Sequence, residues 1–183
     1  MSRISPVDPA SAGADTKPML DAVNQAFGVT PNLFRVAARS PATLEGLLSL
    51  DGALAKGALG DRTRKAISLA VAEANRSDYC LSAFSALGKG AGLSDADIGA
   101  ARQGQASDPK TAAAVRFART LVEARGQVGD AEVRQLRDAG LSDGEILEVV
   151  GNMVFNIMTN TINHVAGTEN DFPVVRAGTA QAA

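Results

Sequence analysis

The sequence predicts an all-α fold, and three observations predict it. Apolar residues recur at i, i+3, i+4 and i+7 through most of the chain, and no stretch sustains the two-residue alternation of a strand. The β-branched residues are absorbed in the helical stripes. Two nearly identical octapeptides, AGLSDADI at 91–98 and AGLSDGEI at 139–146, mark sharp helix-to-helix corners. Each supplies a helix-stopping glycine, a leucine at N′, a serine at the N-cap, an acid at N3 and an isoleucine at N4, which is a capping box with a hydrophobic staple. The echo is compatible with two similar helical halves, but well-capped corners also arise independently, and eight residues do not decide the origin.

Taken in order, residues 1–17 mix Pro, Ala, Ser and Gly with little periodicity and read as an ordered arm at best. Leu20, Val23 and Phe27 define a short helix over 19–27. Pro31 opens a segment with apolar Leu33, Phe34 and Val36. Pro41 occupies N1 after Ser40, Leu44, Leu47, Leu48 and Leu50 supply the buried side, and Gly57 and Gly60 end that helix. Asp61 reads as the N-cap of the next helix. Ala66, Ile67, Leu69, Ala70, Val71 and Ala74 fill one broad face of it, while Arg64, Lys65, Ser68 and Asn75 fill the other. Asn75-Arg76 breaks the pattern, and Ser77 or Asp78 caps a helix bearing Cys80, Ala83, Phe84 and Leu87.

Beyond the first octapeptide, Asp108-Pro109 starts a helix striped by Ala114, Phe117, Ala118, Leu121 and Val122. Asp130 caps another with Val133 and Leu136. The last long helix starts at Ser142 and is expected to turn Ile146, Val149, Val150, Met153, Val154 and Ile157 inward. Residues 18–175 thus read as one helical domain, with a motif-bearing core at about 40–106 and a tail at 176–183.

Composition narrows the function. The 183 residues carry a net charge of -2 with no basic run longer than two, so no nucleic-acid partner is expected. One cysteine excludes an intramolecular disulfide framework and suits a reducing cytosol. The longest apolar run, at 146–162, is interrupted by Glu148, Asn152, Asn156 and Asn160, and the N-terminus has no apolar h-region, so the expectation is a cytoplasmic protein without a membrane span. Cys80 and His164, the only residues of their types, lie far apart without metal-ligand spacing, so no metal is expected. No glycine-rich phosphate loop follows a strand, so no cofactor is expected. Ser77 and Ser82 lack a neighbouring His or Asp arrangement that would make a triad nucleophile.

Three residues remain as candidates for chemistry. Glu73 falls inside the apolar face of its helix, where a carboxylate must find a partner, take up a proton or line a cavity. Arg62, Arg76 and His164 are the cations considered for it. Cys80 sits in a helix's first turn, where unpaired N–H groups favour the thiolate form of a cysteine. It reads equally as an inert core cysteine. His164 is either a structural histidine at a helix end or a group that approaches Glu73 or Cys80 from the second half of the fold.

The stretch EANRSDYCLSAF at 73–84 resembles the signature of the carboxymuconolactone decarboxylase and alkylhydroperoxidase D-like superfamily, whose redox members carry E-x3-C-x2-C-x3-H. TPNLFRVAARSP at 30–41 and NHVAGTENDFP at 163–173 are similar to flanking segments of its peroxidase-related subgroup. The resemblance implies an alkylhydroperoxidase D-like helical fold and a ring-shaped homo-oligomer, a trimer or hexamer. It implies an antioxidant peroxidase activity on a small hydroperoxide, with Cys80 as nucleophile and Glu73 as proton acceptor. Ser77 stands where the resolving cysteine belongs and Phe84 where the relay histidine belongs. A serine forms no disulfide and a phenyl ring carries no proton, so an external thiol must return an oxidised Cys80. Two alternatives stay open. One is a cofactor-free decarboxylase or lyase using Glu73, with Arg62, Arg76 or a neighbouring subunit binding an anionic substrate. The other is a degenerate oligomeric binding protein, which Ser77 and Phe84 favour.

Overall fold

A computed structural model describes residues 2–179, and among them a 3-10 turn (Pro9–Ser11) precedes nine α-helices. These are α1 (Lys17–Phe27), α2 (Asn32–Ala37), α3 (Pro41–Leu54), α4 (Asp61–Ala74), α5 (Asp78–Gly90), α6 (Asp95–Arg102), α7 (Pro109–Glu123), α8 (Asp130–Asp138) and α9 (Asp143–Ala166). No strand occurs among the described residues, as the helical periodicity predicts. Helix α4 is the axis of the fold and packs against α5, α6, α7 and α9. Every residue from 66 to 72 is buried, so the middle of α4 is enclosed on all sides, while Asp61 and Arg62 at its start are exposed. A second apolar cluster, with Leu20, Leu44, Leu47 and Phe155, joins α1 and α3 to α9.

Both octapeptide corners form as their sequences dictate. Ser94 Oγ accepts from Asp97 N while Asp97 accepts from Ser94 N, and Ser142 and Glu145 repeat the exchange. Gly92 and Gly140 precede them at φ 84° and 90°, a left-handed conformation that favours glycine. Two helix starts differ from expectation. Asp61 and Asp130 each lie at N1, and the N-caps are Gly60 and Gly129 in extended conformation. Each acid still sits in a first turn, where it complements the helix dipole.

The corner before α9 carries an acid-sensitive element. Lys110 Nζ lies 2.7 Å from Glu145 Oε1, and that contact, followed by the Ser142 N–H, holds the Glu145 carboxyl down at about 2. A carboxyl depressed in the folded state stabilises above its ordinary range, and that contribution is lost as pH falls from about 4.5 toward about 2. Glu145→Gln is therefore expected to lower stability by about 1–2 kcal/mol near neutral pH, a figure discounted because Lys110 is partly exposed. Urea midpoints of the two proteins should converge through that acidic window. A difference that persisted undiminished at the acid end would refute this origin.

The inward face of α9 departs most from expectation. Ile146 and Val149 are buried, but in the following turns Asn152, Asn156, Thr159, Asn160 and Asn163 face the core, while Val154 is 48% exposed. Hydrogen bonds make this tolerable. Asn152 and Asn156 each donate to the carbonyl four residues back, at 2.8 and 2.7 Å, and Asn160 accepts from Asn75 at 3.0 Å.

Both ends of the described segment are tied down. Arg3 donates from its backbone N to Ala166 O and from its guanidinium to the His164 and Val165 carbonyls, satisfying the end of α9. Residues 172–178 run as a strap over the start of α5. Val175 N donates to Ser82 Oγ at 2.9 Å, Ala177 N to Asp78 Oδ1 at 2.9 Å and Gly178 N to Glu73 Oε1 at 2.6 Å. The segment read as a tail at 176–183 therefore begins as part of the domain surface, and its residues 180–183 lie outside the described residues. No helix among the described residues is long and apolar enough to cross a membrane.

Candidate functional site

Cys80 lies at the third position of α5 with 1% of its surface exposed. Ser77 is the N-cap, but its hydroxyl makes no capping bond and is buried without a partner. The sequence folds this way because Arg76, in left-handed conformation at φ 53°, ends α4 and lets the chain re-enter a helix at once. Cys80 lines a cavity of about 60 Å³ whose walls include Leu33, Phe34, Tyr79, Phe84, Phe155 and Phe172. Tyr79 and Phe172 meet edge to face at 5.8 Å.

The polar atoms around the sulfur come from α9. Asn163 Nδ2 donates to Cys80 Sγ at 3.2 Å, and Cys80 Sγ lies 3.9 Å from Thr159 Oγ1. Tyr79 accepts from Leu33 N at 3.0 Å, and burial, helped by the Asp171 carboxylate beside it, pushes the phenol far above its ordinary range. The phenol thus stays protonated and fixed. On the α4 side Arg64 is 7% exposed and also lines the cavity. Its Nη2 donates to Asp51 Oδ1 at 2.6 Å and its Nε to Asn152 Oδ1 at 3.1 Å. Lys65, Ser68 and Asp51 complete this polar wall.

The remaining candidates lie elsewhere. Glu73 is not among the cavity's lining residues. It receives Arg102 Nε at 2.8 Å and Gly178 N, while Arg102 Nη2 donates to the Arg176 carbonyl at 2.8 Å. The helix turns Glu73 away from Cys80 and against α6, so its compensating cation is Arg102 rather than Arg62, Arg76 or His164. Arg62 is spent on Gly92 O and Asp97, and Arg76 is exposed. His164 is exposed, with Nε2 2.9 Å from Asn75 O, because α9 faces the core with its asparagines and leaves this ring at the rim. It does not line the cavity. Phe84 does, beside Cys80, where it extends the apolar wall. Among the described residues no three of His, Cys, Asp and Glu are grouped as a metal site needs.

Sequence reasoning missed Arg64, Asn163, Tyr79 and Phe172. Periodicity places Arg64 on the face of α4 opposite the apolar one, yet it is buried. The hint of its burial was the length of the apolar run on α4, which leaves a cation there no exit to water.

A family model for the carboxymuconolactone decarboxylase family matches residues 41–124. The fold is similar to that of an uncharacterized peroxidase-related protein from Ralstonia eutropha JMP134, described as an alkylhydroperoxidase AhpD core, at TM-score 0.84 and 22% identity over 93% of this chain and 92% of that one. An uncharacterized peroxidase-related protein from Silicibacter sp. TM1040 gives TM-score 0.78 and 19% identity over 87% and 86%. The debrominase Bmp8, in complex with 2,3,4-tribromopyrrole, gives 0.79 and 19% over 92% and 91%. At these identities the likeness is one of fold. No curated protein matches the sequence.

Proposed function

We propose, from the premise that this chain belongs to the carboxymuconolactone decarboxylase and alkylhydroperoxidase D-like superfamily, that it is a one-cysteine, thiol-dependent oxidoreductase reducing small hydroperoxides. The observation that carries this is Cys80 itself, a cysteine opening onto a small apolar cavity with an N–H donor on its sulfur. The thiolate attacks the terminal peroxide oxygen, the S–O bond forms and the O–O bond breaks. The proton lost by the thiol ends on the departing alcohol. Sulfur is oxidised to the sulfenic acid and the peroxide is reduced. One external thiol then displaces water to give a mixed disulfide, and a second releases Cys80 as the external thiol is oxidised. Glu73, engaged by Arg102 and the strap, acts in this reading on the architecture of the site, which weighs against a decarboxylase built on it.

The aromatic walls and the likeness to Bmp8 favour a second reading, with the same thiol acting on a small halogenated ring. There the sulfur takes the halogen and the ring carbon takes the proton; one external thiol then displaces halide to give a mixed disulfide, and a second releases Cys80 as the external thiol is oxidised. The exposed apolar side chains of α9, Leu147, Val154 and Val165, support the homo-oligomer, trimer or hexamer, that the family resemblance implies.

The test is chemical trapping. Reduced protein treated with tert-butyl hydroperoxide and dimedone is expected to carry one dimedone adduct, on the Cys80 peptide, and Cys80→Ser none. A folded protein that yields no adduct, and whose added thiol is not oxidised by peroxide, would remove the peroxidase reading. Bromide release from a bromopyrrole under the same conditions would install the second.

A further inference from the structure

We propose that Asn163 is the positioning residue for the Cys80 sulfur, donating from Nδ2 to the thiolate and accepting at Oδ1 from the sulfenic acid formed by oxidation. This rests on reading Cys80 as the reacting thiol.

The donor and acceptor inventory around the sulfur carries the argument. Thr159 spends its hydroxyl proton on Asn156 O at 3.0 Å, so toward Cys80 it is only an acceptor, which favours the thiol. Asn163 Nδ2 is a donor, which favours the thiolate, and at 3.2 Å against 3.9 Å it is the closer group. The same carboxamide is 5% exposed, and its Oδ1 is buried without a partner. A buried amide oxygen left unsatisfied costs stability, and such groups mark places where a partner arrives during function. The oxygen added to Cys80 brings an O–H to the amide already bonded to that sulfur. Phe84, at the relay position of the resemblance, supplies neither donor nor acceptor, so the amide from α9 is the polar group left to do both.

The charged and titratable groups facing the sulfur's cavity are Arg64 and Lys65 from α4 and Asp51 from α3, with Tyr79 beside Cys80 and Asp171 behind it. Arg64 is paired with Asp51, and Lys65 lies 3.4 Å from Asp61. Glu73 and His164 are bonded elsewhere.

The single cysteine makes the test direct. The rate of iodoacetamide alkylation is measured against pH for the wild type, Asn163→Leu, Asn163→Asp and Thr159→Val. The midpoint for Asn163→Leu is expected to rise by about one pH unit, a roughly tenfold slower reaction near neutral pH. Asn163→Asp, isosteric and so the variant that keeps the cavity's shape, should rise at least as far, because a carboxylate then faces the thiolate. Thr159→Val should not rise. In the dimedone experiment Asn163→Leu, which lacks the acceptor oxygen, should lose the sulfenic acid faster to over-oxidation, whereas Asn163→Asp, which keeps it, should not. Midpoints for the Asp variant within error of the wild type would overturn the proposal even if the Leu variant failed to fold. No peroxide enters the alkylation assay, so an unchanged profile with intact dimedone trapping sinks Asn163 alone, whereas a shifted profile without trapping sinks the peroxidase reading alone.

Discussion

The double variant Ser77→Cys with Phe84→His is expected to consume organic hydroperoxide on the order of a hundredfold faster than the parent, with a dithiol as reductant. The geometry is receptive at both positions. Ser77 precedes Cys80 by one turn at the start of α5, a spacing within reach of a disulfide, and its buried hydroxyl has no hydrogen bond to lose. Phe84 lines the cavity one turn beyond Cys80, so an imidazole there stands over the sulfur from the other side. Each single change supplies half of the cycle. Cysteine at 77 resolves the sulfenic acid but leaves proton transfer unassisted, and histidine at 84 assists the proton but leaves resolution to outside thiol. The two steps are in series, so the gain should exceed the product of the single gains. Rates for all four proteins decide the matter. A folded double variant that formed the 77–80 disulfide and turned over no faster than the parent would end the case for a peroxidase pocket.

Glu73→Ala is expected to destabilise the fold by about 2–3 kcal/mol, lowering the melting temperature by roughly 5–10 °C, while dimedone trapping at Cys80 persists. The Arg102 guanidinium, with a side chain 10% exposed, would lose its carboxylate, and Gly178 N its acceptor. Breaking one side of a buried pair leaves the other charge uncompensated, so the loss is larger than the pair's own contribution. Melting curves and trapping on this variant separate architecture from chemistry. Unchanged stability with trapping abolished would return Glu73 to the reaction.

The corners of this fold were legible because their determinants are local. Ser94 with Asp97 and Ser142 with Glu145 are each three residues apart, and a capping box needs nothing from the rest of the chain. Cys80 and Phe84 in one cavity wall were legible for the same reason, since one helix carries both. What the sequence concealed depends on helix azimuth and distant partners. Met153 and Ile157 on α9 pack against the core as hydropathy predicts, but Val154 faces outward and Asn152, Asn156 and Asn160 are the more deeply buried, because side-chain amides bond the preceding turn and Asn75. That orientation brings Asn163 to the sulfur and leaves His164 at the rim. Glu73 was recognised as a carboxylate needing a partner, but Arg102 and Gly178 lie 29 and 105 residues away, and periodicity does not reach that far.

The strap at 172–178 has a consequence for synthesis. Its bonds to Glu73, Asp78 and Ser82 span 93 to 105 residues, and Phe172 supplies part of the wall around Cys80. A ribosome delivers the cysteine-bearing helix well before the segment that closes over it, and contacts of such separation form late because their loop entropy must be met first. Until then the nascent thiol stands against an unfinished wall, open to whatever oxidant the compartment contains. The enclosure of Cys80 by Phe172 is thus completed only when residues 172–178 have been made.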